Sequence, residues 1–149
     1  MRVFPDGWNE LVDKFAPAAI AGTLAQVEAL ARSKIPTLQN AVIVLERRGN
    51  PLLTEAHRER LWDAFRVPIF EQIIADNGDL LATDCEAHEG LHIESPMLRV
   101  SRELVDSSPC ACGRKTPRLV QAEHAGVVRV GQDEILRRLS KPPHVSYQV

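Results

Sequence analysis

No apolar run in this chain approaches the ~20 residues a helix needs to cross a bilayer, so a membrane role is not expected. Charge of one sign is not in excess either: the net charge is −2. A field that weak does not recruit nucleic acid or anionic lipid, and neither is expected as a partner. The N-terminus lacks the charged-then-apolar pattern of a leader, and Met1 to Trp8 carries a Pro-Asp-Gly turn instead. The cytoplasm is therefore the expected compartment, and disulfides are not expected in its reducing environment. Cysteine is scarce, with three residues. An odd number fits a disulfide scaffold poorly and fits a metal site that takes its fourth ligand from histidine. No Gly-rich phosphate loop follows a strand, and there is no Gly-x-Ser-x-Gly elbow, so the familiar P-loop and hydrolase signatures are missing.

What is present is the composition of an ordinary globular domain, 44% hydrophobic and 26% charged over 149 residues. That length suits a single domain over residues 1–149, with a helical part at 1–40, a βαβ-hairpin part at 41–84, a zinc-binding β part at 85–130, and a short helix and tail at 131–149. Trp8, Leu11, Val12 and Phe15 fall at helical spacing up to Pro17, and Ile20, Leu24, Val27 and Leu30 predict a second helix over Ala18 to Ser33. Ala41 to Leu45 is a β-branched apolar run of strand length. Gly49-Asn50-Pro51 turns the chain, and Thr54 caps a helix reaching Phe65. Val67 to Ile74 returns as a strand, which completes a βαβ-like unit.

Asp76-Asn77-Gly78-Asp79 reads as a hairpin turn leading into a strand at Leu80 to Thr83. Further strands are expected at Leu91 to Ile93, Met97 to Val100, Arg118 to Val120 and Val127 to Val130, and a helix at Asp133 to Leu139. The expected fold is α/β: a small mixed sheet with N-terminal helices and a metal-pinned hairpin region.

One constellation carries chemistry: Cys85, then His92, then the Cys110-Ala111-Cys112-Gly113 loop. Thiolate and imidazole are the ligands zinc prefers, and four protein ligands close the coordination sphere and make the site structural. Cys110 and Cys112 lie in a polar Ser-Ser-Pro-Cys-Ala-Cys-Gly-Arg loop, a poor place for cysteines acting as small core hydrophobes. Spacing favours His92 as the fourth ligand, with His88 in the intervening loop as the alternative. Three thiolates and an imidazole around a dication leave a net charge of −1, which Arg114 and Lys115 are placed to offset. His57, on a helix, is read as solvated, His124 and His144 have no evident partner, and Asp76 and Asp79 belong to the turn. Arg118 is grouped with the solvated basic residues.

From about Gly49 to Val120, roughly half its length, the chain resembles phenylacetate–coenzyme A ligases among the adenylate-forming enzymes. The matching stretches are Pro51 to Thr54 through Arg60-Leu61, then Ala64 to Phe70, then Cys85 to Ile93, then Pro109 to Arg114. In that family the last two stretches are similar to those holding a structural zinc, which implies the set Cys85, His92, Cys110 and Cys112. Family members also carry a Tyr-Gly-x-Thr-Glu motif whose aromatic stacks on adenine and whose acid helps hold magnesium. Aligned without gaps to Cys85, those positions here are Ile73, Ile74, Asp76 and Asn77. Only about seventeen residues separate His92 from Cys110, so the ribose-binding aspartate segment is expected to be deleted, and the C-terminal domain with its catalytic lysine is not found. Arg66 replaces the glycine usual after the phenylalanine.

The resemblance thus implies a zinc-binding, non-catalytic remnant of an acyl-CoA ligase fold, a pseudoenzyme acting as an accessory, regulatory or binding protein. The alternative is the small subunit of a split acyl-activating enzyme. A protein partner or homo-oligomer is expected, and a small carboxylic acid or acyl-CoA is a candidate ligand.

Overall fold

The computed structural model describes residues 2–47 and 53–120. Through them the chain runs α1 (Glu10–Phe15), β1 (Ala19–Gly22), α2 (Leu24–Leu30), β2 (Ala41–Glu46), α3 (Glu55–Phe65), β3 (Ile69–Ile74), β4 (Leu80–Thr83) and β5 (Leu91–Ile93). A 3-10 turn at Arg102–Leu104, then β6 (Val105–Asp106) and β7 (Arg118–Leu119), complete the described elements. The strands form a mixed sheet in the order β1-β2-β3-β4-β5-β7-β6, so the expected α/β class holds. The described residues fall into two compact units, one from 2–45 and 53–70, the other from 46–47 and 71–120. Among the described residues no helix is long and apolar enough to cross a membrane.

In the first unit, α1 opens on Asn9, whose side chain accepts the Leu11 N–H at 2.9 Å. It closes on Ala16 in the left-handed region, one residue before Pro17. The predicted helix over Ala18 to Ser33 is corrected by the structure. Ala19–Gly22 is a strand parallel to β2, in register Ala19↔Ala41 through Gly22↔Val44. The helix starts only at Leu24, because Thr23 and Gln26 form a capping box. Gln26 Oε1 accepts the Thr23 N–H at 2.9 Å, and Thr23 Oγ1 accepts the Gln26 N–H at 3.4 Å. The apolar periodicity ran through this cap without registering it. Leu24, Val27, Val42, Val44, Leu61 and Ile69 share one apolar core, with Leu53 and Val67.

α3 follows the predicted bounds, and its cap shows a role for His57 that its type alone did not reveal. The His57 ring nitrogen Nδ1 accepts the Thr54 N–H at 3.2 Å, while Thr54 Oγ1 accepts the His57 N–H at 3.3 Å. The helix ends on Arg66 at φ 57°, a left-handed position where glycine costs least. β2 and β3, joined through α3, are neighbours in the sheet, as a βαβ-like unit requires.

The second unit is antiparallel. β3 and β4 meet through the predicted turn, where the Ala75 N–H donates to Asp79 O at 2.8 Å and Gly78 takes φ 89°. Asn77 bonds Asp79 twice, so these residues serve the turn. Registers then run Ala82↔Ile93 and Thr83↔His92 between β4 and β5, and Leu91↔Leu119 and His92↔Arg118 between β5 and β7. Val105↔Leu119 and Asp106↔Arg118 add β6. Because side chains alternate along a strand, these registers sort the strands into two rows. Ala82, Ile93, Leu91, Leu119 and Val105 share one face, which packs with Ile73 and Leu104. Thr83, His92, Arg118 and Asp106 share the other. One face builds the core and the opposite face builds the site.

Met97 to Val100, expected as a strand, is not one. Ser95 Oγ accepts the Met97 N–H and Ser95 O accepts the Leu98 N–H, each at 3.2 Å, which bends the chain and leaves Met97 79% exposed. Met97 and Leu98 are consecutive apolar residues without strict alternation, a pattern that does not distinguish a strand from a turn. The expected turn at Gly49-Asn50-Pro51, strand at Val127 to Val130 and helix at Asp133 to Leu139 lie outside the described residues, as do His124 and His144.

Candidate metal centre

Each predicted ligand owes its position to a local device. β4 ends at Thr83. Asp84 then donates its N–H to Glu71 O at 2.8 Å, and Asp84 Oδ1 accepts the Cys85 N–H at 2.8 Å. A turn closes from the His88 N–H to Cys85 O at 3.0 Å. Gly90 follows at φ 116°, where a Cβ would lie 2.7 Å from Leu119 O; only glycine lets the chain pass into β5. His92 is the middle residue of β5 and is wholly buried. On the other side, a turn from the Gly113 N–H to Cys110 O at 2.9 Å, with Gly113 at φ 86°, folds Cys110 and Cys112 back on themselves.

These devices bring all four expected residues together. One ligand atom from each of Cys85, His92, Cys110 and Cys112 lies within 4.8 Å of every other, so the set could hold a metal ion. Cys85 Sγ stands 3.7 Å from Cys110 Sγ, and Cys112 Sγ 3.3 Å from His92 Nε2. His92 Nδ1 faces Thr116 Oγ1 at 2.8 Å and Thr116 O at 3.3 Å. A bond from Nδ1–H to Thr116 leaves the Nε2 lone pair toward the sulfurs, which is how a metal-binding imidazole is usually oriented. Cys85 and Cys110 are buried and Cys112 is partly so. Three sulfurs and a ring nitrogen are the donor set that suits zinc, so the residues fit that ion.

Local electrostatics differ between the sulfurs. Burial pushes the Cys85 thiol up to about 11, against the pull of the Ala87 N–H. The Arg114 N–H holds the Cys112 thiol below its usual range. Such N–H groups aimed at sulfur favour the thiolate that a metal needs.

His88, the alternative ligand, is engaged elsewhere: its Nδ1 lies 2.9 Å from Asp84 Oδ2, with its backbone left-handed at φ 51°. Arg114 pairs with Glu94 at 2.8 Å and is 49% exposed. Among the described residues the buried cation is Arg118, 3% exposed, and it stands opposite His92 in the β5–β7 register. Its Nη1 donates to Glu89 Oε2 at 2.7 Å and Glu89 O at 3.2 Å. Its Nη2 donates to Asp106 Oδ2 at 2.6 Å and Ser108 Oγ at 3.1 Å. Burial works against the charge, but Glu89 and Asp106 outweigh it and hold the guanidinium ionised. Glu89 is pulled below its ordinary range, first by the Ala111 N–H and then by Arg118. Sequence alone does not mark Arg118 as buried, because a strand of only two residues, Arg118–Leu119, gives too short a pattern to show which side faces inward.

No family model and no curated protein matches this chain. Among solved structures it is similar to 2-hydroxyisobutyryl-CoA ligase in an open conformation, in complex with 2-HIB-AMP and CoA. The TM-score is 0.52 at 16% identity, and the match covers 74% of this chain and 34% of the ligase. The chain therefore has an acyl-CoA-ligase-like fold and spans about a third of that enzyme's length.

Proposed function

We propose that this chain is a zinc-binding, non-catalytic member of the acyl-CoA-ligase-like fold, acting as an accessory, regulatory or binding protein. The single observation that carries the reading is the closed donor set of Cys85, His92, Cys110 and Cys112. Four protein ligands leave a zinc ion no vacant position for water or substrate, so the metal supplies folding energy and no chemistry. Positions that the ligase resemblance aligns with nucleotide contacts serve structure here. Ile73 is buried in the second core, and Asn77 bonds Asp79 across the hairpin turn. Adenylyl transfer needs charge stabilisation at the reacting phosphate, which an isoleucine and a turn asparagine do not supply.

A protein partner or second copy belongs to this reading. Val3, Leu11 and Phe15 expose 74%, 59% and 47% of their surface and are the apolar side chains such a partner would cover. The second reading, a small subunit of a split acyl-activating enzyme, draws support from the similarity to a ligase solved with 2-HIB-AMP and CoA. Calorimetry with ATP, AMP and coenzyme A separates the two. The accessory reading predicts no heat from any of them. Saturable binding of a nucleotide or of coenzyme A contradicts it and favours the split enzyme.

A further inference from the structure

The Arg118 guanidinium joins groups from both segments that carry the metal ligands. Glu89 lies on the loop between Cys85 and His92, and Asp106 and Ser108 lie on the segment entering Cys110. Glu89 Oε2 also accepts the Ala111 N–H at 3.4 Å, from the residue between two of the sulfurs. Asp106 in turn fixes its own loop by accepting the Ser108 N–H at 2.8 Å. A chain of charge-assisted bonds thus runs Ala111, Glu89, Arg118, Asp106, Ser108 and encircles the Cys110 turn. It uses all four N–H directions of the two terminal nitrogens, and its geometry is the planar fork that lysine cannot copy.

Resting on the zinc reading above, we propose that Arg118 is the positioning residue of the metal centre. It holds the Cys85–His92 loop and the Cys110–Cys112 loop in register and supplies the buried positive charge beside a site whose ligated form is net negative. The two ligand pairs come from segments far apart in sequence, so without a tie each metal-binding event must also bring the loops together. A brace that uses no ligand atom removes that requirement, and the outer partners of metal ligands commonly set metal affinity by 10–100-fold.

The test compares the full chain with Arg118→Met, Arg118→Lys, Glu89→Gln and Asp106→Asn in cobalt(II) titrations. Each is followed by the thiolate-to-cobalt charge-transfer band and by zinc competition against a chelator, at a temperature where far-UV circular dichroism reports all five as folded. Glu89 and Asp106 are 47% and 38% exposed at the side chain, so their neutral isosteres keep the fold if Arg118→Met does not. Expected are a loss of at least tenfold in affinity for Arg118→Met, partial recovery for Arg118→Lys, which restores charge without the fork, and smaller losses for the two carboxylate variants. Unchanged affinity and an unchanged band in Arg118→Met, or in both carboxylate variants, overturns the assignment while leaving the zinc reading intact. A wild-type chain that binds neither cobalt nor zinc removes both.

Discussion

Glu46 is the residue whose chemistry is most at odds with its position. It ends β2 fully buried, and neither carboxylate oxygen finds a hydrogen-bond partner among the described residues. Burial, with the nearby Glu71 charge adding to it, pushes its carboxyl up to about 8 from the ordinary 4.5. The folded chain therefore keeps a proton that the unfolded chain releases near pH 4.5. Between those two values unfolding releases that proton, so stability falls as pH rises, by up to about 1.4 kcal/mol per pH unit, and levels off above about 8. Glu46→Gln removes the charge while preserving the shape. It is expected to raise the melting temperature at pH 9 and to flatten its decline between pH 6 and 8, measured by calorimetric scans across pH. Sequence pattern does not reveal this, because Ala41 to Leu45 reads as an apolar strand and nothing marks the next residue as facing inward.

Among the helices and strands, side-chain caps set the boundaries that apolar periodicity leaves open. Thr54 and Phe65 bound α3 as expected, since a threonine before an acidic first turn is a strong start signal. Ile20 lies on β1 for the opposite reason: a helical stripe can extend by coincidence into a strand, and only the Thr23–Gln26 box separates the two. Thr54→Ala is expected to cost about 1 kcal/mol, since it removes the acceptor of the His57 N–H. Arg66→Gly at the other end is expected to be neutral or to stabilise by up to about 1 kcal/mol, because the position is left-handed and the Arg66–Asp63 pair it removes is exposed. Chemical denaturation of both variants checks the pair. A loss for Arg66→Gly as large as that for Thr54→Ala contradicts the assignment of the helix end.

Across the whole chain, the α/β class and the βαβ-like connection are readable from local, strongly patterned signals, and the clustering of Cys85, His92, Cys110 and Cys112 from residue type together with the ligase resemblance. The cation that braces those ligands was not, since its role arises only when β5, β6 and β7 set His92, Arg118 and Asp106 side by side. On the zinc proposal, ligation across two distant segments makes the second unit's fold depend on the ion. Cys110→Ser or Cys112→Ser leaves three ligands and is expected to lower the melting temperature by ten degrees or more, or to cause aggregation, as thermal scans would show. If either variant keeps the wild-type melting temperature, the cluster does not stabilise the fold.

The most direct measurement is the metal content of the purified native chain, by elemental analysis alongside thiol titration before and after denaturation with a chelator. A closed Cys₃His centre predicts one equivalent of zinc per chain, with all three thiols unreactive until the metal is removed. A chain free of zinc, or carrying it with Cys85 freely titrating, contradicts a structural zinc centre at these four residues.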